Sequence, residues 1–247
     1  MVGRDTKYTG GFLLMNYIFD VDGTLTPSRG SMDVEFADWF ECFATHNAVY
    51  LVTGSDREKT LEQIPKYIYN LCIRVYQCSG NNVWEQGTEI RRNEWMLTDK
   101  QHHWLLDKLH DSGFRPKVGN HIDVRPGLTN FSIVGRGCNL EQRYLYRGWD
   151  EHKKERETIA KAYNEKFKDS VATVAGETGI DITPIGGGKE QIMKDFEGPI
   201  TFYGDKTMEG GNDYTLAQAV AKRGGKVIQV ESWEDTFNSL QGKENVV

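Results

Sequence analysis

The sequence predicts an α/β fold: a parallel sheet built from crossover units, interrupted by an inserted α+β block with its own antiparallel sheet. Three observations carry this expectation. Short apolar runs alternate with helical stretches from Leu13 to Cys78, the pattern of parallel strands joined by crossover helices. Past Gly87 the texture changes to short strands separated by Pro126 and Gly127, which suits a hairpin rather than a crossover. The alternation resumes after Pro184. The expected division is an extension over 1–14, a core over 15–90 and 186–247, and an inserted block, or cap, over 91–185.

In order, Met1 to Gly11 are polar and Gly-containing and read as an extension, with the compact domain beginning near Met15. Leu13–Phe19 is the first strand. Met32–His46 is a helix carrying Phe36, Trp39, Phe40 and Phe43, and Ala48–Val52 is the next strand. Ser55 reads as a helix N-cap with Glu58 completing a capping box, and that helix falters near Pro65. A short strand ends at Cys78. Thr98 and Gln101 form a second capping-box pattern, opening a helix that Gly113 closes. The strands HIDVRP and LTNFSIVGR follow, then a charged helix from about Asp150 to Lys168. Strands near Val171–Val174 and Ile180–Thr183 finish the block. Helix Lys189–Phe196, strand Pro199–Tyr203, helix Tyr214–Arg223 and strand Lys226–Val230 complete the core.

Thirty basic against thirty-six acidic side chains leave a net charge of −6, with no basic stretch suited to a nucleic-acid backbone. Partners are therefore expected to be small molecules, not nucleic acid. The apolar run Phe12–Phe19 is too short to span a membrane and leads straight into an acidic motif, so no membrane association is expected. Cys42, Cys72, Cys78 and Cys138 are too sparse for a disulfide framework, and read as buried free thiols in a cytoplasmic protein. The six histidines form no metal-ligand cluster, and the six tryptophans read as packing anchors.

The segment YIFDVDGTLT sets Asp20 and Asp22 two residues apart where an apolar run stops. On a strand, period-two geometry would point both carboxylates the same way, and such a pair can divide attack from proton transfer. An Asp-rich turn with no chemistry is the alternative. VYLVTGSD brings Thr53, Gly54 and Ser55 to a strand end before a helix, where a hydroxyl and free N–H groups favour an anion such as phosphate. Lys189 follows Gly186–Gly188 and opens a helix, where a cation is badly placed for the helix dipole; a site lysine and an exposed surface lysine are the two readings. ITFYGDKTMEGGND puts Asp205 at a strand end and Asp213 at the start of the next helix. Gathered at the carboxyl edge of a parallel sheet, Asp20, Asp205 and Asp213 would repel one another unless a cation intervened. A hard, oxygen-liganded ion, Mg²⁺, resolves that conflict.

In order, DVDGT, TGSD, Lys189 and GDKTMEGGND resemble the four signatures of haloacid-dehalogenase-type phosphotransferases. FDVDGTLTPSR, FSIVGRGCNLEQR and YGDKTMEGGND are similar to the eukaryotic-type phosphomannomutases, a branch with a cap inserted between the second and third signatures. The resemblance implies that Asp20 is the nucleophile, Asp22 the general acid and base, and Lys189 the group that steadies the phosphoryl charge. It implies Mg²⁺ held by Asp20, the backbone carbonyl of Asp22, and Asp205, and a hexose 1,6-bisphosphate activator. Arg125, Arg136 and Arg143 would grip a distal phosphate, with Arg29, Asn130 and Asp181 on further substrate-binding positions. The implied reaction interconverts hexose 1-phosphates and 6-phosphates, mannose or glucose, within mannose metabolism leading to GDP-mannose. A homodimer through the cap is also implied. The departures are Gly179, where the family carries a Ser that contacts substrate, Glu177 as an added negative charge, Pro126, and Gly187–Gly188 in place of Trp-Asp. The rival readings are a Mg²⁺-dependent sugar-phosphate phosphatase, in which water accepts the phosphoryl group, and a non-catalytic phosphosugar-binding protein.

Overall fold

The computed structural model describes residues 8–9 and 12–242. The rest of the expected 1–14 extension lies outside the described residues. Among the described residues, the strands β1 (Tyr8–Thr9) and β2 (Phe12–Leu13) pair only with each other. The first strand of the main sheet is β3 (Asn16–Phe19), shorter than the expected Leu13–Phe19, because the chain joins the sheet only where the Asn16 amide donates to the Pro199 carbonyl at 3.0 Å.

The helix α1 (Val34–His46) starts later than expected because Asp33 caps it, accepting from the Phe36 N–H at 3.1 Å. The strand β4 (Ala48–Val52) keeps its expected bounds. Pro65 divides α2 (Arg57–Gln63) from α3 (Lys66–Leu71), and β5 (Arg74–Gln77) follows. The hairpin of β6 (Asn82–Glu85) and β7 (Thr88–Arg92) was not foreseen: its many polar and charged residues hide the period-two pattern.

Next come α4 (Asp99–Asp111), opened by the Thr98–Gln101 capping box, and the hairpin of β8 (Ile122–Arg125) and β9 (Leu128–Phe131). The expected charged helix is two helices, α5 (Leu140–Lys153) and α6 (Glu155–Lys166). They break at Lys154, whose φ is 52°, and Asp150 spans the break by accepting from the Arg156 amide and Nε, both at 2.8 Å. Strands β10 (Ser170–Ala175) and β11 (Gly179–Pro184) complete an antiparallel sheet of order β10-β11-β9-β8.

The expected helix after Gly188 is a 3-10 helix (Lys189–Asp195), its turn tightened by the Gln191 amide donating to the Gly188 carbonyl. Then come β12 (Ile200–Gly204), α7 (Tyr214–Lys222), β13 (Lys226–Gln229) and α8 (Trp233–Leu240). The large sheet runs β13-β12-β3-β4-β5-β6-β7, parallel from β13 to β5 and antiparallel beyond.

Alternation along β3 sends Phe19 to one face of this sheet and Ile18 to the other. Phe19 packs with Phe36, Phe40 and Leu51; Ile18 packs with Tyr76, Phe202 and Val220. A third cluster under the antiparallel sheet gathers Leu105, Phe131, Tyr146 and Tyr163. All six tryptophans lean on these clusters as packing anchors. No two cysteines are bonded among the described residues, and Cys42 is exposed rather than buried. No helix among the described residues is long and apolar enough to cross a membrane.

Candidate active site

The site is built at the carboxyl ends of three adjacent parallel strands, β12, β3 and β4, where ligands bind in open α/β sheets. Asp205 follows β12, Asp20 follows β3 and Thr53 follows β4. Asp20 is 3% exposed, and its amide donates to the Tyr203 carbonyl at 2.9 Å. The Lys189 Nζ donates at 2.6 Å both to Asp20 Oδ1 and to Asp213 Oδ1. Lys189 is itself buried, so it is no surface lysine. Asp213 opens α7, but its carboxylate serves Lys189 and the Lys206 amide rather than capping the helix.

Carboxylate oxygens of Asp20, Asp205 and Asp213 lie within 4.8 Å of one another. Burial and the neighbouring Asp213 push the Asp20 pKa well above the usual carboxylate range, and burial raises that of Asp205. Burial works against the charge of Lys189, but Asp20 and Asp213 outweigh it and hold the ammonium firmly protonated. Lys206 Nζ also reaches Asp205 Oδ2 at 3.0 Å but is itself half exposed, so the buried charge of the three carboxylates is met inside the site by Lys189 alone, and the remaining negative charge suits a hard divalent cation with oxygen ligands. The residues present therefore fit Mg²⁺. Close approach is built in at Gly23, whose φ is +82° and where a Cβ would stand 2.6 Å from Asp205 Oδ2.

Asp22 lies in the turn beyond β3 rather than on the strand, yet it lines the same cleft as Asp20. Its Oδ1 accepts from the Arg29 amide at 2.7 Å and from Gln63 Nε2 at 2.9 Å. The Asp22 carboxylate is not part of the clustered set. Gln63, almost fully buried, is a residue the sequence reading missed; nothing in a helix-end glutamine distinguishes it from a surface one.

Thr53 Oγ1 accepts from the Ser55 amide at 3.1 Å, and Thr53, Gly54 and Ser55 all line the cleft. Ser55 is not the helix cap: Asp56 takes that role, accepting from the Lys59 amide at 2.9 Å, so the helix starts one residue later than expected.

The opposite wall comes from the antiparallel sheet and α5. Arg125, Asn130, Arg136, Arg143, Gly179 and Asp181 line the cleft from this side, and Arg29, from the loop after β3, lines it together with Asp20, Asp22 and Asp205. Register pairs Asp181 with Asn130 across β11 and β9, and Asn130 Nδ2 donates to Asp181 Oδ1 at 2.6 Å. Asn130 also fills the space at Gly179, where a Cβ would meet its Nδ2 at 2.5 Å. Arg125 Nη1 donates to the Gly54 carbonyl at 2.6 Å, joining the two walls. Arg125 and Arg136 share Asp123 Oδ2 at 2.8 and 3.1 Å, and Arg143 Nη2 bonds Glu177 Oε2 at 2.9 Å. Burial, with Arg143 and Arg136 close by, lowers the Arg29 pKa to about 10. Asp123, Arg147, Lys59 and Lys206 were also missed. Asp123 had a signal, since it precedes Arg125 by two residues on one strand and so shares its face.

The family model described as eukaryotic phosphomannomutase matches residues 36–243. Phosphomannomutase of Encephalitozoon cuniculi is 30% identical over 91% of this chain and 91% of its own length. That of Schizosaccharomyces pombe is 31% identical over 81% and 83%. Among solved structures, an IMP-nucleotidase of Plasmodium falciparum aligns with a TM-score of 0.60 at 15% identity, covering 95% of this chain and 68% of its own. A trehalose-6-phosphate phosphatase related protein aligns at 0.53 and 15%, covering 92% and 96%. These two speak for a shared haloacid-dehalogenase-type fold alone. With the family match spanning most of the chain and relatives of this similarity along nearly all of it, the chain belongs to the eukaryotic phosphomannomutase family.

Proposed function

We propose that the protein is a hexose-phosphate mutase acting on mannose 1-phosphate, and on glucose 1-phosphate as an alternative substrate. The observation that carries this reading is the pairing, in one cleft, of the carboxylates Asp20, Asp22 and Asp205, the first bonded to the buried Lys189, with a second, arginine-rich wall. Two anion sites match a sugar that carries two phosphates during turnover. The core over 15–90 and 186–247 supplies the chemistry, and the cap over 91–185 supplies the second site.

The Asp20 carboxylate attacks phosphorus and starts each cycle as an aspartyl phosphate formed from a hexose 1,6-bisphosphate activator. Asp22 takes the proton from the attacking sugar hydroxyl and returns one to the leaving oxygen, a role worth roughly 10² to 10⁴ in rate. The Arg29 and Gln63 donors hold its carboxylate in place. Lys189 neutralises charge on the transferring group, and Thr53, Gly54 and Ser55 lie beside it. Asp20, the Asp22 carbonyl and Asp205 would hold Mg²⁺, with Asp213 behind them, and the ion would stabilise negative charge on the phosphoryl oxygens. Arg125, Arg136 and Arg143 take the distal phosphate because guanidinium groups bind phosphate bidentately. Asn130 and Asp181 suit sugar hydroxyls. A cap over the cleft keeps water from the aspartyl phosphate.

Phosphorus NMR with mannose 1-phosphate or glucose 1-phosphate, Mg²⁺ and a bisphosphate activator tests the reading. The 6-phosphate is expected, and Asp20→Asn should abolish its formation. Release of inorganic phosphate without a 6-phosphate would instead establish the phosphatase reading, which Glu177 favours by occupying Arg143. A homodimer through the cap is supported by the exposed Leu140, Tyr144 and Leu145 on one helix, and sedimentation would test it.

A further inference from the structure

The cationic wall of the cleft holds an anion of its own. Glu177 sits in the turn between β10 and β11 and uses both carboxylate oxygens: Oε2 to Arg143 Nη2 at 2.9 Å and Oε1 to Arg147 Nη1 at 3.1 Å. Arg143 and Arg147 lie one turn apart on α5, so their guanidinium groups fall on one face of the helix and converge on that carboxylate. Burial pushes the Glu177 pKa up, but the hydrogen bond and charge of Arg143, with Arg147 and Lys206, outweigh it and keep the group ionised. Arg143 is only 8% exposed in its side chain, while Glu177 is 27% exposed, and both line the cleft. The buried Nη1 of Arg143 has no hydrogen-bond partner among the described residues. Arg29 and Arg136 both act on the same charge balance, since Arg143 and Arg136 each disfavour protonation of Arg29.

We propose that Glu177 is a specificity-determining internal counter-ion, which occupies Arg143 and Arg147 when the cleft is free and competes with the distal phosphate of a bound sugar phosphate. The proposal rests on the mutase reading for the identity of the ligand. A carboxylate held by two guanidinium groups presents them with the same planar pair of oxygens that a phosphate face would. An entering phosphate dianion must displace Glu177 or share its arginines under like-charge repulsion. Either way Glu177 weakens binding of the phosphate at Arg143. The same competition has a use in a mutase, where the distal phosphate has to leave this site so that the sugar can turn. Glu177 then takes the arginines back, and the buried Arg143 is not left without a partner.

The test compares Glu177→Gln, nearly identical in shape but uncharged, with the unmutated residue, each in an Asp20→Asn background that blocks turnover. Glu151→Gln removes the same charge from an exposed position on α5 and serves as control. Calorimetric titrations use inorganic phosphate, mannose 1-phosphate and mannose. We expect Glu177→Gln to bind both phosphates about two- to fivefold more tightly, the scale of a partly exposed ion pair. Mannose binding and the control should not change. With Asp20 intact, KM for mannose 1-phosphate should fall without a rise in kcat. Glu177→Ala should shift in the same direction, which covers a failure of the Gln variant to fold. Unchanged or weaker phosphate binding in both variants would overturn the proposal and leave Glu177 as a fastener between α5 and the β10–β11 turn. Failure of the unmutated protein to bind mannose 1-phosphate would overturn the mutase reading instead, and the inorganic phosphate titrations would still decide the role of Glu177.

Discussion

Replacing Lys189 by Met keeps the length and burial of the side chain and removes only its charge. The ammonium makes two contacts of 2.6 Å, to Asp20 and to Asp213, among side chains that are 1%, 4% and 0% exposed. At an effective dielectric of about 20, each contact is worth roughly 6 kcal/mol of attraction. Most of that is offset because the lysine no longer has to be desolvated, and because a buried carboxylate escapes part of the repulsion by taking up a proton. Removing one partner of a buried ionic group typically costs about 3–5 kcal/mol, and that is the loss expected here without a divalent cation. Mg²⁺ should then restore more stability to Lys189→Met than it adds to the unmutated protein, because the surplus of negative charge around the ion has grown by one. Urea unfolding of both proteins, with EDTA and with Mg²⁺, measures all four stabilities. A loss below about 1 kcal/mol in EDTA, or an equal Mg²⁺ effect in both proteins, would refute the view of Lys189 as the fixed counter-charge of this cluster.

Gly23→Ala should lower activity and weaken Mg²⁺ binding with little change in substrate KM, since its Cβ would press to 2.6 Å from Asp205 Oδ2 at a φ of +82°; steady-state kinetics against Mg²⁺ concentration would show it. Asp20 and Asp205 have raised folded-state pKa values, so the stability they contribute without metal is fully present in acid and is lost as pH rises through those values. The stabilisation by Mg²⁺ should therefore widen with rising pH in unfolding titrations. Phe36 is fully buried and stacks on Phe237 at 4.9 Å and on Trp233 at 5.9 Å, so Phe36→Ala should cost about 3–5 kcal/mol in the same assay. Thr98→Ala removes the N-cap of α4 and half of its capping box, for about 1 kcal/mol.

Where local chemistry sets an element, the sequence was enough to read it. Thr98 and Gln101 bond within one helical turn, and Pro126–Gly127 closes a hairpin whose strands are neighbours in the chain. Elsewhere a neighbouring residue or a distant contact decided. Asp56 outcompeted Ser55 as the cap of α2 because its carboxylate reaches the Lys59 amide. The helix expected at 150–168 split at Lys154 because Asp150 could span the break to Arg156, a bond that no periodicity reveals. β6 and β7 escaped notice because strands of mixed polarity gain their definition from pairing.

The acidic motifs and their order along the chain indicated by themselves that Asp20, Asp205 and Asp213 should gather, because strand ends in a parallel sheet share one edge, whereas Lys189 joined them only through the family resemblance. Only the tertiary structure decided how charge is shared among them. It gave Lys189 to both Asp20 and Asp213, turned the Asp22 carboxylate toward Arg29 and Gln63, and set Glu177 against Arg143. The physical reason is distance: ion pairing and desolvation depend on ångström separations between residues far apart in the chain, and those separations exist only once the sheets, helices and loops have packed.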